Sequence, residues 1–335
     1  MKNIIINFII FLVLNFYILS CSKHPLLSLI TENESDTSSS SESIDKNNLP
    51  TGLIISNEQI PHADFGGNFR TVCEFSHQNY DDPIVLPNQP GLSHLHMYYG
   101  NKQVDASTSL SDLQEKSSST CLGMGLNASS YWMPALLNEQ KEIRISLPGN
   151  LYYKSGELDH KTIQPMPQGL KMIASPPLFL DVDPKRIIRW SCLSWTINGI
   201  EDFNDFIPIC QQGDTLILNI LYPQCWDGVN LHLPDHHSHM AYPVDLKCPA
   251  SHPVPLPQFS FNLDWLISSD LSTQMWRLDS DHDQTKAGGY STHADFFMAW
   301  DEAVMEALVK NCINKGLDCN HGELGNGTQL VSEEL

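Results

Sequence analysis

Thr215-Leu216-Ile217-Leu218-Asn219-Ile220-Leu221-Tyr222 is the stretch whose reading decides the fold class. It is short and apolar, and it lies between Gly213 and Pro223, which is how a β-strand is bounded. Three further segments read the same way: Ile143 to Leu147, Leu151 to Lys154, and Ile187 to Trp195. Around them stand 21 Pro and 19 Gly, and only 17% of residues are charged, a balance that favours loops and short strands over long exposed helices. The expected fold is mainly β, a β-sandwich-like core with long loops. One exception is Ala294 to Lys315, where Phe296, Trp300, Val304, Ala307 and Leu308 recur at helical spacing and Gly316 follows as a stop, so one C-terminal amphipathic helix is expected.

Outward from this core, the folded region is expected to be a single β-rich domain over 49–319, with no internal repeat or second linker. Residues 320–335 are polar and acidic and read as a flexible tail. Residues 1–20 combine Lys2 with an apolar run too short and too Asn-broken for a comfortable membrane span, the pattern of a signal peptide. The run ends Ile18-Leu19-Ser20-Cys21, which resembles a bacterial lipobox with Cys21 as the lipidated residue; ordinary cleavage near Ser20 is the alternative. The Ser-rich stretch over 21–48 then reads as a tether, because its composition cannot bury enough surface to offset the entropy of ordering it. Export would leave the protein a lipid-anchored or secreted one, with no membrane contact except through the lipid.

Removing Cys21 from the nine cysteines leaves eight: Cys73, Cys121, Cys192, Cys210, Cys225, Cys248, Cys312 and Cys319. In an exported chain an even set implies disulfides, and no CxxC pair points to a thiolate zinc cluster. The sequence-local pairs Cys192 with Cys210, Cys225 with Cys248 and Cys312 with Cys319 are the natural guesses among 105 pairings. Asn33, Asn127 and Asn326 each begin an Asn-x-Ser/Thr triplet, a glycosylation acceptor only in a eukaryotic secretory chain.

With 19 Lys+Arg against 39 Asp+Glu, the formal net charge is −20. A nucleic-acid partner is therefore not expected, since phosphate recognition needs a basic face. Nucleophilic-serine chemistry is not signalled either: Gly-x-Ser-x-Gly, a phosphate loop and a dinucleotide fingerprint are all missing.

The chemistry-bearing residues are histidines and aspartates. His-x-His occurs at His94/His96 and His237/His239, and His232, His236, His237 and His239 fall within eight residues. If Ser93 to Tyr98 is extended, alternation puts His94, His96 and Tyr98 on one face, spaced for a divalent metal, with His239 a candidate third ligand. Structural hydrogen bonding and metal-free acid/base work are the other uses of such histidines. No cofactor is required by the sequence. Asp81 and Asp82 precede the first pair, Asp227 and Asp235 flank the second, and Asp295 and Asp301 follow His293. Paired carboxylates perform glycoside hydrolysis, while a His or Tyr base beside a neutralising group performs elimination on a uronate. The bland readings are a turn at Asp82-Pro83 and a helix cap at Asp295. Trp132, Trp226, Trp276 and Trp300 offer sugar-stacking faces or core packing.

Several stretches taken together resemble one family. They are Phe69-Arg70; Asp82-Pro83-Ile84-Val85-x-Pro87; Gly91-x-Ser93-His94-x-His96; Tyr131-Trp132; Gly169-Leu170-Lys171-Met172-Ile173-Ala174; and Cys225-Trp226-Asp227-Gly228-x-Asn230-Leu231. Asp235-His236-x-Ser238-His239-x-Ala241-Tyr242-Pro243, Cys248-Pro249, His252-Pro253-Val254, Gly289-Tyr290-x-x-His293-x-Asp295-Phe296 and Trp300-Asp301 complete the series. In order and spacing this is similar to domain-of-unknown-function family nineteen-ninety-six, common in secreted fungal proteins and often joined to WSC sugar-binding modules. The resemblance implies work on extracellular polysaccharide. It carries over Asp82, His94, His96, Asp227, Asn230, Asp235, His236, His239, Tyr242, His293 and Asp295. The chain departs from the pattern at His237, at Asn88-Gln89-Pro90, and in lacking a WSC module.

The expected function is therefore a glycan hydrolase or lyase, with a non-catalytic carbohydrate- or metal-binding surface module, or a metal scavenger, as rivals. His94, His96, Asp227, His236, His239, Tyr242, His293 and Asp295 are the expected catalytic groups, and Arg70, Asp82, Tyr98, Asn230, Asp235 and Trp132 the substrate-binding ones. All are expected around one cleft, with an extracellular glycan as the partner.

Overall fold

The Thr215–Leu221 strand alternates as a half-buried strand should: Leu216, Leu218 and Ile220 point into the core. A computed structural model describes residues 44–332, apart from 116–117, 176–186, 195–198, 201–202, 269 and 321. The expected signal peptide, Cys21, Asn33, most of the expected tether and Trp195 lie outside the described residues.

Thr215–Leu221 is paired on both sides, with Ile188–Ser194 and with Gln258–Leu266. The sheet continues through Gly149–Lys154 and Asn68–Cys73 to Asp318–Cys319, which joins parallel, and Gly199–Ile200 closes the other edge, giving seven strands. A second, five-stranded antiparallel sheet has the order Phe75–Asn79, His96–Gly100, Ser130–Pro134, Ala294–Phe297, Lys171–Ala174. The two pack face to face through aromatic side chains: Tyr99 meets Phe261 with ring centroids 5.3 Å apart, and Phe296 meets Phe259 at 5.0 Å. The expected mainly β, sandwich-like fold is what forms.

The small sheet is buried on both faces. His96–Gly100, Ser130–Pro134 and Ala294–Phe297 contain no exposed residue. One face carries Tyr99, Tyr131 and Phe296 into the inter-sheet core. On the other, Tyr98, Trp132 and Phe297 form a second apolar cluster with Ile84, Val104 and Leu113 from the connecting segments. That covered outer face, where an alternating polar pattern would have marked solvent, is where His96 and Asp295 reside.

Three expectations change. Ala294–Phe297 is a strand rather than the start of the helix, because Phe296 fills the inter-sheet core. The helix begins at Glu302, capped by Asp301, whose Oδ1 accepts the Val304 amide at 3.0 Å, and runs through Leu308 into a π-turn over Val309–Ile313. Ile143 to Leu147 forms no strand: Ile143 makes an isolated bridge to Leu137, and the Leu147 amide donates to Asp264 O at 2.8 Å. The segment after Cys319 is tied down: Thr328–Leu330 pairs with Leu53–Ile55, and Leu330 is buried.

The cysteines pair as the three local guesses, and the fourth disulfide joins Cys73 to Cys121 across 48 residues. Replacing Cys73 and Cys121 together by serine is expected to lower stability by about 3–4 kcal/mol, from loop-closure entropy, and guanidinium unfolding of the oxidised protein measures it. Among the described residues no helix is long and apolar enough to cross a membrane.

Candidate metal centre

Strand alternation places His96 and Tyr98 on the covered face, and the chain just before the strand brings His94 beside them, its ring centroid 4.2 Å from that of His96. Cross-strand register then sets Tyr98 opposite Trp132 and Trp132 opposite Asp295. His293, just before the Ala294–Phe297 strand, lies 5.1 Å from His94, ring to ring. Asp82 arrives from the segment that covers the sheet. Its Oδ1 accepts the amides of Ile84 and Val85 at 2.8 and 2.9 Å, so the expected turn at Asp82-Pro83 also fixes this carboxylate.

Two overlapping groups of donor atoms result. One atom each from His94, His96 and His293 lie within 4.8 Å of one another, and so do atoms of Asp82, His96 and Asp295. His96 belongs to both groups. Its Nδ1 donates to the Asp81 carbonyl at 2.9 Å, which leaves the lone pair on Nε2; His293 Nδ1 likewise donates to Ser291 O at 2.9 Å. A carbonyl that fixes the tautomer and aims the other nitrogen inward is the usual support for a metal-bound imidazole.

The centre is electrostatically unfinished. His96 and Asp295 are fully buried and Asp82 is 2% exposed. His94 Nε2, His96 Nε2 and both oxygens of Asp295 are buried with no hydrogen-bond partner. His293 Nε2 stands 3.9 Å from Asp295 Oδ2, beyond hydrogen-bond distance. Burial pushes the Asp295 carboxyl well above the ordinary carboxylate range, and the neighbouring Asp82 charge pushes it further. Burial also raises Asp82, against the two amides that lower it. The imidazoles move the other way. Burial, with His293 and His282 nearby, takes His94 down to about 3, and it lowers His96 and His293 as well. Neutral imidazoles beside carboxylates that lack a counter-charge make a donor set suited to a divalent cation.

The other expected site residues divide. Tyr98 belongs to the same face, its hydroxyl donating to Asp81 O at 2.6 Å. Trp132 is fully buried against Tyr98, so it packs and has no face to offer a sugar. Arg70 lies on the larger sheet and donates to Asn320 O and the Tyr152 hydroxyl. Asp227 accepts the amides of Val229 and Asn230 and the Asn230 side chain; Asp235 accepts the amides of His237 and Ser238, and the Ser238 hydroxyl together with these amides holds its carboxyl down at about 2. Both close turns. The Tyr242 hydroxyl donates to Leu221 O.

The metal expectation for His239 changes too. His239 is fully buried and its Nε2 donates to Lys171 O at 2.6 Å, stitching the 227–241 loops to the edge of the small sheet. Substituting Ala there is expected to cost about 1–3 kcal/mol of stability and leave metal content unchanged; a thermal melt beside metal analysis checks both. His236 stands at φ +62°, hydrogen-bonded ring to ring with His232 at 2.7 Å. Sequence reasoning missed Lys171, whose Nζ donates to Pro83 O at 3.1 Å and pins the Asp82 turn. A lone lysine on a strand carries no signal of that role.

The family model described as "Domain of unknown function (DUF1996)" matches residues 82–300. The chain belongs to that family. The match begins at Asp82 and ends just past Asp295, so all five donor residues fall within the family's own region. No curated protein and no solved structure matches the chain.

Proposed function

We propose that this chain is an exported enzyme that cleaves extracellular polysaccharide, using a divalent metal ion held by Asp82, His94, His96, His293 and Asp295. The observation that carries the reading is the convergence of buried lone pairs, on His94, His96 and Asp295, that nothing among the described residues satisfies. Mixed imidazole and carboxylate donors suit a borderline ion such as zinc, which supplies a nucleophilic water and charge neutralisation when bound. Asp82 is already fixed by two amides and is the natural permanent ligand. Asp295 has both oxygens uncommitted, so it is free to give one or both to the ion, releasing the proton that burial holds on it when the ion is absent. Four disulfides fit an oxidising compartment, and the signal peptide and Cys21 lipid are part of the same proposal.

Metal analysis after supply of zinc, manganese, iron or copper tests the reading, combined with product chromatography on a polysaccharide panel with and without chelator. Stoichiometric metal and chelator-sensitive oligosaccharides are expected. Neither metal nor products would overturn it. The burial of the centre favours one second reading, a binding module with a structural ion, and stable metal without products would select that.

A further inference from the structure

Beside the centre lies a cleft of about 400 Å³, lined by Glu139, Lys141, Asp279, His282 and Gln284 among others. It is joined to the centre through the backbone. The Leu95 amide, between His94 and His96, donates to Asp279 Oδ2 at 2.6 Å, and His282 lies close enough to depress His94. His94 and His293 are half-buried whereas Asp82, His96 and Asp295 are closed off, so the edge formed by these two histidines is the more open side of the centre, and His94 is the one that adjoins the cleft.

The charges around this cleft choose the substrate class. Its lining holds Glu139, Asp279 and Asp281 against Lys141 and Arg277. Arg277 is not presented to a ligand: its Nη2 donates to the carbonyls of Gln284 and Lys286, at 3.2 and 2.8 Å, and its Nη1 is buried. A dication in the centre would be balanced by Asp82 and Asp295. No net positive charge is left for an acidic polymer, in a chain whose own net charge is −20. Exposed amide, carboxylate and imidazole groups beside the apolar Met275 instead match a ring with hydroxyls on its rim and C–H groups on its face.

From this, and resting on the enzymatic reading above, we infer that the cleft binds a neutral, hydroxyl-rich polysaccharide and that the reaction is hydrolysis. A neutral sugar has no carboxyl to acidify the neighbouring proton, so elimination is closed to it. Water adds across the glycosidic bond: its oxygen bonds to the anomeric carbon, the bond from that carbon to the leaving oxygen breaks, and a proton passes to the leaving oxygen.

The test is calorimetric titration of the zinc-supplied full chain with neutral hexasaccharides of the glucan, xylan and mannan types and with polygalacturonate and alginate hexamers, metal content being measured on the same samples. At least one neutral oligosaccharide is expected to bind, more tightly than either acidic one. The double variant His282→Ala/Gln284→Ala, both sites exposed, is expected to weaken that binding by about tenfold without changing metal content. Glu139→Lys is expected to raise affinity for the acidic hexamers. Preference of the wild type for the acidic hexamers, binding indifferent to the double variant, or no glycan binding at all would each overturn the inference. Neutral binding lost in the double variant of a protein that takes up no metal would keep the cleft and overturn the metal-dependent reading alone.

Discussion

Asp295→Asn is expected to raise the melting temperature of the metal-free protein and to remove its response to metal. The two effects have one cause. Without a cation, Asp295 is a fully buried carboxyl beside Asp82, with no donor on either oxygen. An amide of the same shape cannot ionise, so it removes the cost of burying that charge. The sign follows from linkage. The folded pKa lies above the unfolded one, so the folded metal-free protein holds a proton that the unfolded chain has released, and stability falls as pH rises above the ordinary carboxylate range. The advantage of the amide should therefore be largest near neutral pH and vanish below about pH 3, where the carboxyl is protonated in both states. With metal present the order reverses: the wild type gains about 3–4 kcal/mol at a hundred- to thousandfold excess over Kd, and the variant loses that gain. Melting curves of both proteins, with chelator and with zinc, read all four states. A less stable metal-free variant would show that Asp295 has a partner within the fold and that the centre needs no ion.

Stripping the metal is expected to have the second large effect, and its size should depend on pH. Bound protons compete with the ion for Asp82 and Asp295, whose pKa values are raised, so loading releases protons and becomes more favourable from about pH 5 to pH 8. The melting temperature gained on adding metal should grow over that range, to roughly 5–10 °C for a domain of this size. The histidines impose a separate limit. His94, at about 3 in the fold against 6.5 unfolded, is neutral in the folded protein at pH values where the unfolded chain is protonated, so its contribution is lost as pH falls from about 6.5 towards 3. The metal-free protein therefore has opposing slopes, carboxylates favouring lower pH and imidazoles higher, whereas the loaded protein should become steadily more stable as acid is removed. A metal-induced shift that is flat with pH would mean that the ion sits away from these carboxylates.

The strands that build the larger sheet were legible because one face of each meets the core and the other does not: Thr215–Leu221 is the clearest case. The smaller sheet hid its strands. His96–Gly100 and Ala294–Phe297 are covered on both faces, so polar and apolar residues do not alternate there, and Phe296, Trp300 and Val304 mimic a helical stripe across what is a strand and a turn. For the site, the His-x-His spacing disclosed that His94 and His96 share a face. That His293 and Asp295 complete the group depends on register between strands 160 or more residues apart, which the family-like motifs flagged and spacing alone could not. The same motifs also carry Asp227, Asn230 and Asp235, which lie outside the two donor groups. These types are also what turns require, and the hydrogen bonds to Val229, Asn230, His237 and Ser238 use them as such.

The pairing of Leu53–Ile55 with Thr328–Leu330 puts the two ends of the described chain side by side, Leu53 facing Leu330. The order in which the strands are connected is then separable from the order in which they pack. A circular permutant that joins residues 332 and 49 through a short linker, and opens the chain at the exposed 249–251 turn, would leave both sheets, the four disulfides and the His/Asp centre with every neighbour they now have.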